Sequence, residues 1–164
     1  MPRLVDKRDT NGREDMWSVS KAIAPFGKND LDDVKLIQTM LIRVLTSEGF
    51  RKDSSESELT EIDRIFDNSI GRGVQFSDGI YGANTRAAVG VLERRIGSPV
   101  KDGIIRPVFE VDRMGRMSGS SGTKMGDLND FWDENLITAS AASKKESGRK
   151  FLAPSVFAKL YPDG

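Results

Sequence analysis

The chain has 164 residues with 25 basic and 25 acidic side chains, so its formal net charge is zero, and it contains neither cysteine nor histidine. The absence of both residue types excludes disulfides, thiolate or imidazole metal ligands, thiol nucleophiles and catalytic pairs that need an imidazole base. The balanced charge argues against the dominant basic face of a nucleic-acid-binding protein, and no apolar run reaches the roughly 18 residues of a membrane span.

Residues 1–24 are predicted to form an N-terminal arm. Residues 1–20 are charged and lack the apolar core of a secretory signal peptide. We therefore expect synthesis in the cytoplasm without cleavage by the general secretory route. A role at the periplasm or cell wall would require delivery by cell lysis or by a dedicated secretion system.

The first predicted helix follows this arm. Asp30 or Asp32 would cap its start and place negative charge at the positive end of the helix dipole. Apolar residues then recur every three to four positions, which is the spacing of one helix face. These residues are Val34, Ile37, Leu41 and Val44.

A long connection with its own helix comes next. It places 36 residues between Leu41 and Asp78, and loop-closure entropy makes two doublings of such a length cost only about 1.2 kcal/mol. Ser55 and Glu58 have the spacing of a capping box, which predicts a helix start. The apolar face of this helix is Leu59, Ile62, Ile65 and Phe66. We therefore treat residues 46–77 as a helical insertion.

A tight turn, a helix start and an apolar helix face follow one another within residues 78–89. Asp78-Gly79 predicts the turn, because aspartate hydrogen-bonds its own backbone and glycine adopts positive φ without a Cβ clash. Gly82 is a second flexible point before the helix. The apolar face of that helix is Ala88, Val91, Leu92 and Ile96.

These motifs resemble the peptidoglycan-binding-like domain, a small helical module attached to cell-wall hydrolases and phage lysins. The family pattern is V-x-x-[LIV]-Q-x-x-L, then D-G-x-[FY]-G-x-x-T-x-x-A-V, then a second D-G turn. The matching residues, in that order, are Val34, Ile37, Gln38, Leu41, Asp78, Gly79, Tyr81, Gly82, Thr85, Ala88, Val89, Asp102 and Gly103. Where the family has phenylalanine and glutamine late in its second helix, this chain has Leu92 and Glu93. The resemblance covers residues 25–110.

The resemblance implies a non-catalytic protein that binds peptidoglycan, through its glycan or stem peptide, in a shallow groove beside the motif helices. It implies neither a metal nor another cofactor. Tyr81 either offers an aromatic face to a sugar or packs inward. The candidate binding residues are Gln38, Tyr81, Asn84, Thr85 and Arg86. The candidate turn residues, which serve the fold, are Asp78, Gly79, Gly82, Asp102 and Gly103.

The last third of the chain is predicted to be a linker and a helical segment. Residues 111–126 are rich in glycine and serine, which is typical of a linker, and residues 127–164 form the helical segment. Its helices either close the core of the main module or use Trp132 to anchor a protein partner, and the burial of Trp132 separates the two. The chain is thus predicted to be mainly α: a small three-helix bundle with a helical insertion and C-terminal helices packed on it.

Two other functions remain open. The first is a structural or adaptor protein of a phage particle or secretion apparatus, which the long insertion and the changes at Leu92 and Glu93 favour. The second is a wall hydrolase with two catalytic carboxylates, because glycoside hydrolysis needs no histidine. Its candidate carboxylates are Glu56, Glu58, Glu61, Asp130, Asp133 and Glu134. Since 25 of 164 residues are acidic, such pairs arise by chance, and we expect no catalytic residue.

Overall fold

A computed structural model describes residues 1–5, 16–71, 76–111, 117–119, 124–135 and 140–164. These residues are mainly helical, which confirms the predicted fold class. Their helices are α1 (Leu31–Leu45), α2 (Glu48–Lys52), α3 (Glu56–Gly71), α4 (Ala83–Arg95), α5 (Lys124–Asn135), α6 (Ala141–Phe151) and α7 (Pro154–Leu160). Their strands form two antiparallel pairs, β1 (Arg3–Val5) with β2 (Met16–Ser18) and β3 (Phe109–Val111) with β4 (Met117–Gly119).

Helix α1 lies at the centre of the core. Asp30 caps it as predicted, because its carboxylate accepts hydrogen bonds from the backbone nitrogens of Asp32 at 3.0 Å and Asp33 at 2.9 Å. The helix is packed on most of its circumference, against α2, α4, α5 and α7. Its fully buried apolar residues are Val34, Leu36, Ile37, Met40, Leu41, Val44 and Leu45.

The insertion contributes α3, as its apolar spacing predicts. Ser55 accepts a hydrogen bond from the backbone nitrogen of Glu58 at 3.3 Å, which is one half of the predicted capping box. The Glu58 carboxylate binds Arg95 of α4 at 2.6 Å. Ile62 and Ile65 are buried where α3 packs on α4. Residues 72–75 of the predicted insertion lie outside the described residues.

Part of the predicted N-terminal arm belongs to the core, since its apolar residues Val5, Met16, Trp17, Val19 and Ile23 are buried. Strand β2 brings in Trp17, which is fully buried, and its Nε1 donates a hydrogen bond to the Tyr161 hydroxyl at 3.0 Å. Further along, Ile23 pairs with Ile105 through backbone hydrogen bonds of 2.9 and 3.0 Å. The chain on both sides of the module is therefore packed into one core.

Trp132 is fully buried against Trp17, with ring centroids 5.0 Å apart in an edge-to-face arrangement. Asn129 joins the same elements, because its side chain accepts from the Trp17 backbone nitrogen at 2.9 Å and donates to the Trp17 carbonyl at 2.8 Å. The prediction of a protein partner at the Trp132 helix is therefore wrong for Trp132 itself. Its aromatic ring packs inside the fold, where removing it from water stabilises the folded protein.

The predicted linker is only partly described. Residues 112–116 and 120–123 lie outside the described residues, while β4 and the first turn of α5 occupy described positions within 111–126. Helix α5 packs on α1, α2 and α4, and α7 packs on α1. The C-terminal helices thus cover the module, as expected. Across the described ranges, the helices lack the combination of length and apolar character that a bilayer span requires.

Replacing Trp132 by alanine is expected to lower the free energy of unfolding by about 3–5 kcal/mol, because it empties the space between β2, α5 and α6. Urea unfolding followed by circular dichroism measures the loss. The matched control is Lys52→Ala, an exposed position at which we expect a change within about 0.5 kcal/mol. A loss near that of the control would show that the C-terminal helices do not share the core.

Candidate functional site

The Gln38 side chain joins α1 to the first Asp-Gly turn and to α4. Its amide nitrogen donates to the Asp78 carboxylate at 3.1 Å, the Ile80 carbonyl at 2.9 Å and the Thr85 hydroxyl at 3.0 Å. Its amide oxygen accepts from the Gly79 backbone nitrogen at 2.8 Å. Gln38 is fully buried, so its amide has no surface left for a ligand.

The first turn needs glycine for two reasons. Gly79 has φ of +84°, and a Cβ built there would lie 2.3 Å from the Leu31 side chain. The preceding Asp78 carboxylate accepts from the Ile80 backbone nitrogen at 2.8 Å, which is the expected aspartate turn. Ile80 consequently points away from α1 and into solvent.

The second turn repeats this geometry. Gly103 has φ of +74°, and the Asp102 carboxylate accepts from the Ile104 backbone nitrogen at 2.9 Å. Glu93 of α4 accepts from the Gly103 nitrogen at 3.0 Å, as Gln38 does from Gly79. The buried Tyr81 hydroxyl donates to the Gly103 carbonyl. The segments around Gln38, Tyr81 and Gly103 therefore meet, as the motif order predicts.

Lys124 completes the second turn. A carboxylate cannot donate a hydrogen bond, so Glu93 alone cannot do what the Gln38 amide nitrogen does. The Lys124 ammonium lies 2.7 Å from Glu93 and donates to the Asp102 carboxylate at 2.8 Å and the Ile104 carbonyl at 3.1 Å. Those two acceptors correspond to Asp78 and Ile80 in the first turn. The Glu93–Lys124 pair thus replaces one glutamine side chain.

The buried charges of this pair shift two acidic groups in the same direction. Burial opposes ionisation of Glu93, but hydrogen bonds from Lys124, the Gly103 nitrogen and Arg86 outweigh it and lower the pKa of its carboxyl. Burial likewise opposes ionisation of Asp102, and Lys124 with the Ile104 nitrogen lowers the pKa of its carboxyl. Both groups are carboxylates in the folded protein at neutral pH.

The predicted binding residues mostly serve the fold. Gln38, Tyr81 and Thr85 are buried and hydrogen-bonded within the protein, so they present no ligand surface. Burial also raises the pKa of the Tyr81 phenol. Arg86 is partly exposed, but its guanidinium spans Glu93 at 3.0 Å and the Lys101 carbonyl at 3.1 Å. Asn84 is partly exposed at the start of α4.

An open groove lies beside the first turn. Its volume is about 530 Å³, within the range of roughly 300–1,000 Å³ that is usual for ligand clefts. Phe26 is 76% exposed and Ile80 is 67% exposed, and both line it. The other lining residues are Gly27, Lys28, Asn29, Gly79 and Tyr81. The groove is therefore an exposed apolar surface built on the motif turn.

Phe26 is held in an unusual backbone conformation. Its φ is +57°, in the left-handed region, which costs a non-glycine residue about 1–2 kcal/mol. Its backbone nitrogen donates to the Tyr81 carbonyl at 2.9 Å. Asn29 closes the loop, because its amide pairs with both backbone groups of Ala24 at 2.9 Å. The Phe26 ring is thus placed in solvent by a rigid loop.

Sequence analysis missed Phe26, because the position becomes unusual only in the folded turn. Pro25 and Phe26 occupy the two central positions of a turn that is closed by a 3.2 Å bond from the Gly27 nitrogen to the Ala24 carbonyl. Proline suits the first central position, and positive φ at the second normally selects glycine. A phenylalanine in that place breaks the local preference and marks the position for a role outside the fold.

Three of the candidate catalytic carboxylates form ion pairs that link neighbouring helices. Glu61 pairs with Arg94 between α3 and α4, and Asp133 pairs with Lys144 at 3.1 Å between α5 and α6. Glu58 pairs with Arg95. Within the described ranges, no three acidic side chains are grouped so that they could hold a metal ion.

Replacing Lys124 by methionine is expected to lower the free energy of unfolding by about 3 kcal/mol, the low end for a broken buried ion pair. The buried Glu93 keeps only the partly exposed Arg86 as a cation, and the Asp102 carboxylate and the Ile104 carbonyl lose their donor. Adding Glu93→Gln is expected to recover at least half of that loss, since a glutamine can donate to Asp102 or Ile104 as Gln38 does in the first turn. Urea unfolding measures both variants, and Lys101→Met, an exposed position, is the control. A double variant no more stable than Lys124→Met would contradict the equivalence of the two turns.

Acid is expected to destabilise the protein through the same pair. Because the folded state lowers the pKa of Glu93 and Asp102, the unfolded state binds more protons at low pH, and stability falls as the pH drops below about 4. Urea midpoints at pH 7, 5, 4 and 3 measure this slope. The double variant Glu93→Gln with Lys124→Met should show a shallower slope, and an equal slope would locate the acid sensitivity elsewhere.

The family resemblance has no support outside its motifs, since no family model, no curated protein and no solved structure matches this chain. The groove is the structural feature that bears on function. Its distinguishing features are an exposed aromatic ring, a strained backbone position and a rigid turn beneath it. Exposed apolar surfaces of this kind are typical of ligand-binding and protein-contact sites.

Proposed function

We propose that this protein binds bacterial peptidoglycan without catalysing a reaction on it, and so localises an activity or an assembly at the cell wall. The observation that carries the proposal is the solvent-facing Phe26 ring, held at positive φ beside the exposed Ile80. A polymer of sugars and short peptides offers many small apolar faces to such a surface. The binding site is then the groove, and the buried motif residues are its support.

The open, shallow groove suits a polymer that offers the same binding unit many times. An aromatic ring gives a large flat contact area and loses little rotamer entropy on binding. Ile80 supplies an aliphatic contact beside it, and the polar neighbours Lys28 and Asn29 can orient the ligand. Affinity per site is modest in such an open cleft, and attachment to a polymer raises the effective affinity through repeated sites.

The strain at Phe26 supports a role in binding. Glycine would satisfy the turn at lower conformational cost, and a polar residue would suit the exposed position better. Neither change would alter the hydrogen bonds of Asn29 or Tyr81 to this loop. Retaining an exposed phenylalanine there is explained by contact with a ligand.

The resemblance to peptidoglycan-binding-like domains adds independent support. Gln38, Tyr81 and Gly103 lie at one buried junction, which is the arrangement that the family motif requires. The departure at Glu93 is compensated by Lys124, so it does not argue against the module. The groove lies beside this junction, where the family carries its binding surface.

An adaptor of a phage particle or secretion apparatus is the second candidate function. Leu31 is 52% exposed, and its side chain lies against Gly79 next to the groove. With Phe26 and Ile80 it extends the apolar surface that a protein partner would cover. Failure to bind peptidoglycan would favour this candidate, and release of soluble muropeptides would point to a hydrolase.

Replacing Phe26 by glycine is expected to weaken binding to purified insoluble peptidoglycan about tenfold or more, because it removes the central contact. The free energy of unfolding should stay equal or rise by up to about 1 kcal/mol, since the backbone strain is relieved. Sedimentation with sacculi and urea unfolding measure the two effects.

Val100→Ala is the matched control, because Val100 is an exposed apolar residue outside the lining of the groove. It should bind like the unchanged protein. If the unchanged protein does not sediment with sacculi, the proposed function is wrong. If Phe26→Gly sediments as well as the control, the groove is not the binding site.

A further inference from the structure

A second cavity adjoins the groove. Lys28 and Asn29 line both, and the second cavity has a volume of about 360 Å³. Lys21 lies on its wall, and Ser20 and Asp33 also line it. A ligand on Phe26 can therefore extend past Lys28 without leaving the protein surface. The combined surface has an apolar end and a polar end.

The two lysines at the polar end are available to a ligand. Lys21 and Lys28 are exposed, and neither has an ion pair or side-chain hydrogen bond among the described residues. Two acidic residues also line the cavity, and both are paired with the Met1 α-ammonium, Asp30 at 3.4 Å and Asp33 at 3.1 Å. The other carboxylate oxygen of Asp30 caps α1. Asp33 is buried and accepts from the Ser20 hydroxyl at 3.0 Å. The acidic groups are thus paired within the protein, while both lysines line the cavity and are exposed to solvent.

Resting on the proposed function, we infer that the recognised part of peptidoglycan is its stem peptide, with a free carboxylate at Lys28 and Lys21 and a methyl-bearing residue on Phe26 and Ile80. In intact peptidoglycan the N-acetylated sugars carry no charge, because each lactyl carboxyl is in an amide bond with a stem peptide, so a glycan ligand would leave both ammonium groups unused. Short wall peptides carry small apolar side chains and carboxylates together. The apolar side chain of such a peptide would lie at the apolar end of the surface and its carboxylate at the polar end.

The lysine side chain is also chemically suited to a peptide carboxylate. Its ammonium is a mobile point charge that pairs with a carboxylate without a fixed bidentate geometry. An exposed ion pair between a lysine and a ligand carboxylate contributes modestly to the binding free energy, and salt screens it. Because the whole chain has no net charge, attraction of an acidic peptide depends on these local groups. Binding is expected to weaken as salt is raised.

The test compares three forms of the ligand: untreated sacculi, sacculi whose carboxylates have been converted to amides, and peptide-free glycan chains whose exposed lactyl carboxylates have also been converted to amides. The full chain should bind untreated sacculi about tenfold more tightly than amidated sacculi and should not bind the free glycan. Lys28→Gln and Lys21→Gln should each weaken binding to untreated sacculi about threefold, and together about tenfold. Lys52→Gln, an exposed lysine on α2, is the matched control and should bind normally.

The amidated sacculi separate the lysine contacts from general charge effects. On that ligand the double variant should bind no more weakly than the unchanged protein, because the carboxylate partner is already gone. Equal binding to untreated and amidated sacculi, or retained binding to peptide-free glycan, would overturn the inference and leave the proposed function standing. Absence of binding to untreated sacculi would overturn both.

Discussion

The buried amide of Gln38 is the interaction on which the rest of the structure depends. One side chain satisfies groups of the first turn and of α4 that lie 40 to 47 positions further along the chain. The buried groups among them, the Gly79 nitrogen and the Thr85 hydroxyl, would each cost about 1–3 kcal/mol if they were left without a partner. Because the amide fixes the turn against α1, Ile80 faces solvent and Tyr81 faces the core. The orientation of the groove follows from that division.

The second turn meets the same requirement with two residues from distant parts of the chain. Glu93 accepts from the Gly103 nitrogen and Lys124 donates to the Asp102 carboxylate. A carboxylate and an ammonium group thus make the hydrogen bonds that one amide makes in the first turn. The consequence is that α5 becomes part of the module, because without Lys124 the buried carboxylate would lose the more deeply buried of its two cations, and the second turn would lose its donor. Trp132 and Asn129 lie on the same helix and hold β2 against it. The C-terminal helices are therefore structural elements of the core.

The groove shows how the fold separates stability from binding. The buried junction holds the loop of Phe26 through the Tyr81 carbonyl, and Asn29 closes that loop from within. These contacts over-determine the loop, so it can keep a phenylalanine in a conformation that glycine prefers. The apolar end of the surface then lies beside two exposed lysines. Under the proposed function, a rigid platform of this kind would bind its ligand without closing around it.

Sequence by itself determined the elements that local hydrogen bonds and periodicity create. The Asp30 cap, the apolar face of α1, the Ser55 start of α3 and both Asp-Gly turns follow from residues only a few positions apart. Tertiary structure alone decided which way the motif side chains point: Gln38 and Thr85 face inward, so the predicted binding residues became supports. It also decided the burial of Trp17, the pairing of Lys124 with Glu93 and the exposure of Phe26. Such outcomes rest on contacts between residues as far apart as Trp17 and Asn129, 112 positions away, and no local pattern encodes which distant surface a side chain will meet.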